Sequence, residues 1–181
     1  ALGSSLSHAQ QSSPSDQTVA NRIVALDPRW TLSLTPPPLA VPGFDQQMAY
    51  VPLDGGEMLA IDLDDGRVVW TVDLTTAYSP ATGDGMVFVA SEGDVVTLDQ
   101  STGRTLWRTA MDAPLSGPVH WDSGWVFAST TNGDVVALRA EDGHVLWRSQ
   151  VGSPFAVTPS VSGNWLYAAL QDGRVLALDL E

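Results

Sequence analysis

Apolar residues along this chain gather in short runs, each closed by a polar corner rich in glycine, and they do not recur at helical spacing. Met86–Ala90, Trp125–Ala128 and Trp165–Ala169 are such runs. They are apolar at successive positions instead of alternating, so they predict strands in sheets covered on both faces. Tight-turn signals follow them at Asp54-Gly55-Gly56, Glu92-Gly93, Asn132-Gly133 and Asp172-Gly173. Glycine, and to a lesser degree Asn or Asp, supplies the positive φ that a hairpin corner needs. Returning strands are predicted at Met58–Asp62, Val95–Asp99, Val135–Arg139 and Val175–Asp179. A second corner at Asp65-Gly66, Thr102-Gly103 or Asp142-Gly143 leads into strands carrying tryptophan, Val68–Asp73, Thr105–Thr109 and Val145–Ser149. Helical periodicity is expected nowhere except a short turn near residues 16–22.

The corners and tryptophans share one period. Trp30, Trp70, Trp107 and Trp147 are 40, 37 and 40 residues apart, and Gly66, Gly103 and Gly143 precede the last three by four residues. Gly56, Gly93, Gly133 and Gly173 repeat at 37, 40 and 40, and Pro42, Pro80, Pro118 and Pro159 at 38, 38 and 41. Short strands repeating about every 40 residues predict an all-β fold, a β-propeller of four-stranded antiparallel blades with about four repeats. The blade units are expected at 42–74, 80–109 and 118–149, with 30–34 joining 159–181 in a last blade. One tryptophan per unit fills the gap between neighbouring sheets, burying roughly 150–250 Å².

Ala60, Asp62, Gly66 and Trp70 form an A-x-D-x-x-x-G-x-x-x-W signature that resembles the PQQ-like, quinoprotein-type propeller repeats. A second copy has Thr97, Asp99, Gly103 and Trp107, and a third has Ala137, Gly143 and Trp147 with Arg139 in place of the acid. A partial copy starts at Ala177-Leu178-Asp179, and Ala25–Trp30 is similar to a shortened one. Within this family the chain is similar to the BamB-type propellers of outer-membrane assembly. That resemblance implies a non-catalytic exported scaffold with a protein partner. The dehydrogenases sharing the repeat carry a vicinal cysteine pair and calcium ligands above their cofactor. This chain has no cysteine, so no cofactor is expected and the chain is read as not an enzyme. The other readings are a ligand-sensing or adhesive domain of a larger receptor, or a fragment of a PQQ-dependent dehydrogenase. The phase of the ends leaves two arrangements open. Either four blades close alone, or the chain is about half of a larger ring, completed by further sequence or by self-association. The half-ring is the favoured one.

Composition narrows the partners. Eight basic against 21 acidic side chains give a net charge of −13, which argues against nucleic acid or anionic lipid as the main partner. No apolar run approaches the roughly 18 residues of a membrane span, so no direct membrane insertion is expected. Residues 1–9, ending in Ser7-His8-Ala9, read as a signal-peptide remnant, and 10–22 as a disordered lead-in. A periplasmic or otherwise exported location follows.

Candidate chemistry is sparse. His8, His120 and His144 have no partners at ligand spacing, and Asp62-Leu63-Asp64-Asp65-Gly66 misplaces the glycine of a calcium loop. No G-x-S-x-G elbow or phosphate-binding loop is present. Pro36-Pro37-Pro38 reads as a stiff connector. One stretch breaks the repeat: His120-Trp121-Asp122 falls where other units are aligned to carry Thr82-Gly83-Asp84 and Val161-Ser162-Gly163. An unrepeated aromatic beside an acid is a candidate partner-binding anchor, against the alternative of a ring filling a local gap.

Overall fold

A computed structural model describes residues 27–180. The expected signal remnant at 1–9, the expected lead-in at 10–22 and the turn expected near 16–22 lie outside the described residues. The described residues form 15 strands in four antiparallel sheets. Blade 1 contains β1 (Gly43–Phe44), β2 (Met48–Pro52), β3 (Glu57–Asp62) and β4 (Val68–Asp73). Blade 2 contains β5 (Ala81–Gly83), β6 (Met86–Ser91), β7 (Asp94–Asp99) and β8 (Thr105–Ala110). Blade 3 contains β9 (His120–Asp122), β10 (Trp125–Ser129), β11 (Asp134–Arg139) and β12 (Val145–Gln150). Blade 4 contains β13 (Ser160–Ser162), β14 (Trp165–Ala169) and β15 (Val175–Asp179). Each sheet is ordered as its strands follow in sequence, the meander of a propeller blade.

The signature residues explain why each copy folds alike. The Gly66 N–H donates to the Asp62 carbonyl at 2.9 Å, and Gly103 to Asp99 and Gly143 to Arg139 do the same at 2.9 Å. These glycines sit at φ of 74°, 71° and 72°. The register slips at one place in each unit, after Ala60, Thr97 and Ala137, the residues paired with Trp70, Trp107 and Trp147. Where the signature carries an acid, its carboxylate ties the corner. Asp99 accepts from the Thr102 and Ser101 hydroxyls at 2.6 and 2.7 Å, which holds its carboxyl below the usual range. In blade 3, where Arg139 replaces the acid, Asp142 takes over by accepting from the His144 N–H and from Arg139.

The core lies between the blades. Tyr50, Met58 and Ala60 of blade 1 pack on Val87, Val89, Val96 and Leu98 of blade 2. Phe88 and Val95 of blade 2 meet Val126, Val136 and Leu138 of blade 3. Phe127, Val135 and Ala137 of blade 3 meet Leu166 and Ala168 of blade 4. Blades covered on both faces account for the continuously buried strands β6, β7, β10 and β11.

The two ends differ from expectation. Residues 30–34 do not complete the last blade, and β13–β14–β15 stay three-stranded among the described residues. Trp30, Leu32 and Leu34 instead cover Ala49, Val51, Leu59 and Ile61 on the leading face of blade 1. The segment sits where the outer strand of a preceding blade would sit. Four blades therefore form an open arc in this structure, with the entering segment held at one end and β15 at the other. Pro36-Pro37-Pro38 connects that segment to blade 1, and Pro38 bridges to Leu53.

Candidate functional site

The only repeat-breaking stretch flagged in the sequence, His120–Asp122, is all of β9, the innermost strand of blade 3. Pairing sets His120 opposite Phe127, Trp121 opposite Val126 and Asp122 opposite Trp125. The structural counterparts are therefore Ala81–Gly83 and Ser160–Ser162, one residue earlier than the sequence alignment has them. The proline series puts the alignment one residue out, because Val119 separates Pro118 from β9 whereas Pro80 and Pro159 directly precede β5 and β13.

Strand alternation then splits the patch. Trp121 turns into the seam between blades 2 and 3, where a Cβ on Gly83 would lie 2.2 Å from its ring. Its indole N–H is buried with no partner among the described residues. His120 stacks on Phe127 with ring centroids 6.4 Å apart, and Trp125 stacks on the same ring at 6.0 Å. Burial pushes the His120 imidazole below its ordinary value, and the Asp122 carboxylate opposes that shift. Asp122, Trp125 and Phe127 line one wall of an open cleft, and Val161, Gly163 and Asn164 of blade 4 line the other. This cleft offers stacked aromatic surface beside a carboxylate, a surface suited to gripping a side chain. Among the described residues, no group of three or more His, Asp or Glu is placed to hold a metal ion.

The repeat residues form a second kind of site, the joint between blades. Cβ atoms on Gly66, Gly103 and Gly143 would lie 2.6, 2.7 and 2.4 Å from Trp30, Trp70 and Trp107. The same three indoles donate to the carbonyls of Leu63, Gln100 and Ala140 at 2.9, 2.9 and 2.8 Å. Trp147 is the exception, its indole N–H buried without a partner among the described residues.

Two features of the joints escaped sequence reading. An aromatic series, Tyr50, Phe88, Phe127 and Tyr167, occupies one position of the second strand of every blade, opposite Ala60, Thr97, Ala137 and Ala177. Its first three members lie 5.8, 6.2 and 6.2 Å from Trp70, Trp107 and Trp147. The second feature is a polar clamp. Asp45 accepts from Tyr50 Oη and Gln100 Nε2, both at 2.6 Å, and from the N–H groups of Gln47 and Met48. Burial, then the Asp45 acceptor, raises the Tyr50 hydroxyl pKa well above its ordinary value.

Comparison with known proteins agrees with this architecture. The family described as outer membrane protein assembly factor BamB matches residues 19–97 and 91–181. The outer membrane protein assembly factor BamB of Nitrosomonas eutropha is 28% identical over 113 residues, 60% of this chain and 27% of that protein. The crystal structure of BamB from Moraxella catarrhalis superposes with a TM-score of 0.69 at 24% identity, over 79% of this chain and 47% of that one. A quinohemoprotein alcohol dehydrogenase from Pseudomonas putida HK5 superposes with a TM-score of 0.64 at 18% identity, over 78% of this chain and 32% of that one. These likenesses to solved structures speak for the propeller fold alone. The chain spans about a quarter of the curated relative and about half of the Moraxella protein. With the family matched along most of its length, the chain belongs to the BamB-type family of PQQ-like repeat propellers.

Proposed function

We propose that this chain is an exported, non-catalytic scaffold that binds a protein partner in outer-membrane protein assembly. The observation that carries this reading is the BamB family match over 19–181, on a fold whose signature residues are spent on joining blades. The cleft beside His120 and Asp122 is the candidate contact. There Trp125 and Phe127 supply apolar surface and Asp122 a charge, the residue types that anchor protein interfaces. Trp121 supports the cleft from behind by filling the neighbouring seam. The acidic balance of the chain favours a partner with a basic surface at the contact.

Affinity capture from an envelope extract of the source cell, using the full chain as bait, tests the assembly role. Recovery of barrel-assembly components is expected, with capture reduced at least tenfold by Asp122→Arg at unchanged melting temperature. Capture of no assembly component would overturn the reading. Dye-linked alcohol oxidation after incubation with PQQ and calcium is expected to stay at background, and turnover would overturn the non-catalytic part.

A further inference from the structure

The inner strands of neighbouring blades face each other across equivalent seams, and each seam is filled differently. Pairing with the second strand makes Thr82, Trp121 and Val161 the same position of β5, β9 and β13. Between blades 1 and 2 the Thr82 hydroxyl donates to the Phe44 carbonyl at 2.8 Å. Between blades 2 and 3 the Trp121 ring takes the space that a Cβ on Gly83 would need. Between blades 3 and 4 that position holds only Val161, and the facing strand presents Asp122 in the place of Gly83. Valine has neither the reach of tryptophan nor the donor of threonine. A cleft of about 210 Å³ is left between the first hairpins of the two blades.

Cross-strand pairing sets Asp122 directly beside Trp125 and His120 beside Phe127, on one face of the β9–β10 hairpin. Phe127 is buried and braces the Trp125 ring, which is half-buried and lines the cleft. The carboxylate beside that ring has no balancing cation among the described residues. Arg29, Arg67, Arg108, Arg139, Arg148 and Arg174 are each ion-paired to another acid. Arg104 sits at the far corner of blade 2, between β7 and β8, and the chain has no lysine. The neighbouring His120 does not supply the charge near neutral pH, because burial lowers its pKa. The cleft therefore joins an open aromatic face, an apolar wall and an uncompensated negative charge.

We propose that this cleft takes an arginine side chain of the partner protein, its guanidinium stacked on Trp125 and its N–H fork on the Asp122 carboxylate. The inference rests on the reading of the chain as a partner-binding scaffold. A guanidinium is planar, so it fits between the Trp125 ring and the Val161 wall, and its parallel N–H donors match the two oxygens of a carboxylate. Attraction to the indole face adds to the ion pair on the same group. Lysine meets the charge but neither the plane nor the fork. Asp122 is half-buried, so the pair is screened less by salt than one on the open surface.

Titration of the isotope-labelled full chain with the peptide acetyl-Gly-Gly-Arg-Gly-Gly-amide, followed by NMR, tests the site. The indole resonance of Trp125, identified by its loss in Trp125→Phe, is expected to move and to saturate. The same peptide with lysine is expected to bind more weakly, as is the one with citrulline, which keeps the plane and loses the charge. Asp122→Asn is expected to weaken the arginine peptide by about tenfold or more at unchanged melting temperature. An unmoved Trp125 resonance would overturn the proposal. So would lysine or citrulline peptides that bind as tightly as arginine, or an affinity unaltered in Asp122→Asn. Arginine-peptide binding with no assembly component captured from the envelope extract would uphold the cleft and remove the assembly role. Capture of assembly components that persists undiminished in Asp122→Asn would uphold that role and overturn the cleft as its arginine site.

Discussion

Gly103 meets two demands at one backbone position. Its φ of 71° lies where a side chain is strained, and its missing Cβ leaves the space that the Trp70 ring fills. Thr97 shows the opposite case, a signature position holding a poorer residue than its counterparts. Ala60 and Ala137 fill that place elsewhere, whereas the Thr97 hydroxyl is fully buried with no partner among the described residues. Thr97→Val keeps the shape and removes the unsatisfied oxygen, so it is expected to stabilise the chain by about 1 kcal/mol. Thermal unfolding should show the midpoint rising by roughly 2–4 °C. At His120 the effect depends on pH. Burial keeps its imidazole neutral to lower pH than in the unfolded chain, where it titrates near 6.5. The unfolded state therefore takes up this proton first, and stability falls as pH drops through 6.5 toward the folded value. Melting between pH 7.5 and 5.5 should record that loss, and His120→Asn should flatten it. The carboxylates of Asp99, Asp142 and Asp172 are held low and act only in more acidic solution.

At the scale of strands and blades, the corner glycines and outer-strand tryptophans are legible in sequence because no other residue types do those tasks. Positive φ selects glycine, and a ring spanning two sheets while donating a hydrogen bond selects tryptophan. The aromatic series through Tyr50 and Phe88 is not legible, because it sits within apolar runs where several large residues serve equally. The Asp45 clamp stays hidden for a different reason: its acid resembles any turn aspartate, and Gln100 lies 55 residues away. The His120–Asp122 patch is visible as a departure from the repeat, but its division between two seams needs the pleat and register that only the paired strands supply. The joints carry much of the stability. Trp107 touches Phe88, covers Gly143 and donates to Ala140, so Trp107→Ala is expected to cost roughly 3–5 kcal/mol. Chemical denaturation of the purified variant measures this as a drop in midpoint.

At the scale of the whole molecule, cohesion among the described residues passes from each blade to its neighbour through separate apolar clusters. Propellers share this with other repeat proteins, in which neighbour interfaces set stability. The charge of −13 belongs to the same scheme, since many of the acids sit at hairpin corners such as Asp64-Asp65 and Glu141-Asp142, where turn geometry favours them. Function has to be placed on what the repeats leave over, which is why a strand that departs from them, β9, lines the candidate contact. The pairing of Trp30, Trp70 and Trp107 with the glycine of the following unit has a genetic consequence. A duplication of one repeat length, wherever its breakpoints fall, copies a tryptophan together with the glycine that will receive its neighbour. The lengthened protein inherits a matched joint at every boundary, so rings of different size can arise without any new interface having to evolve.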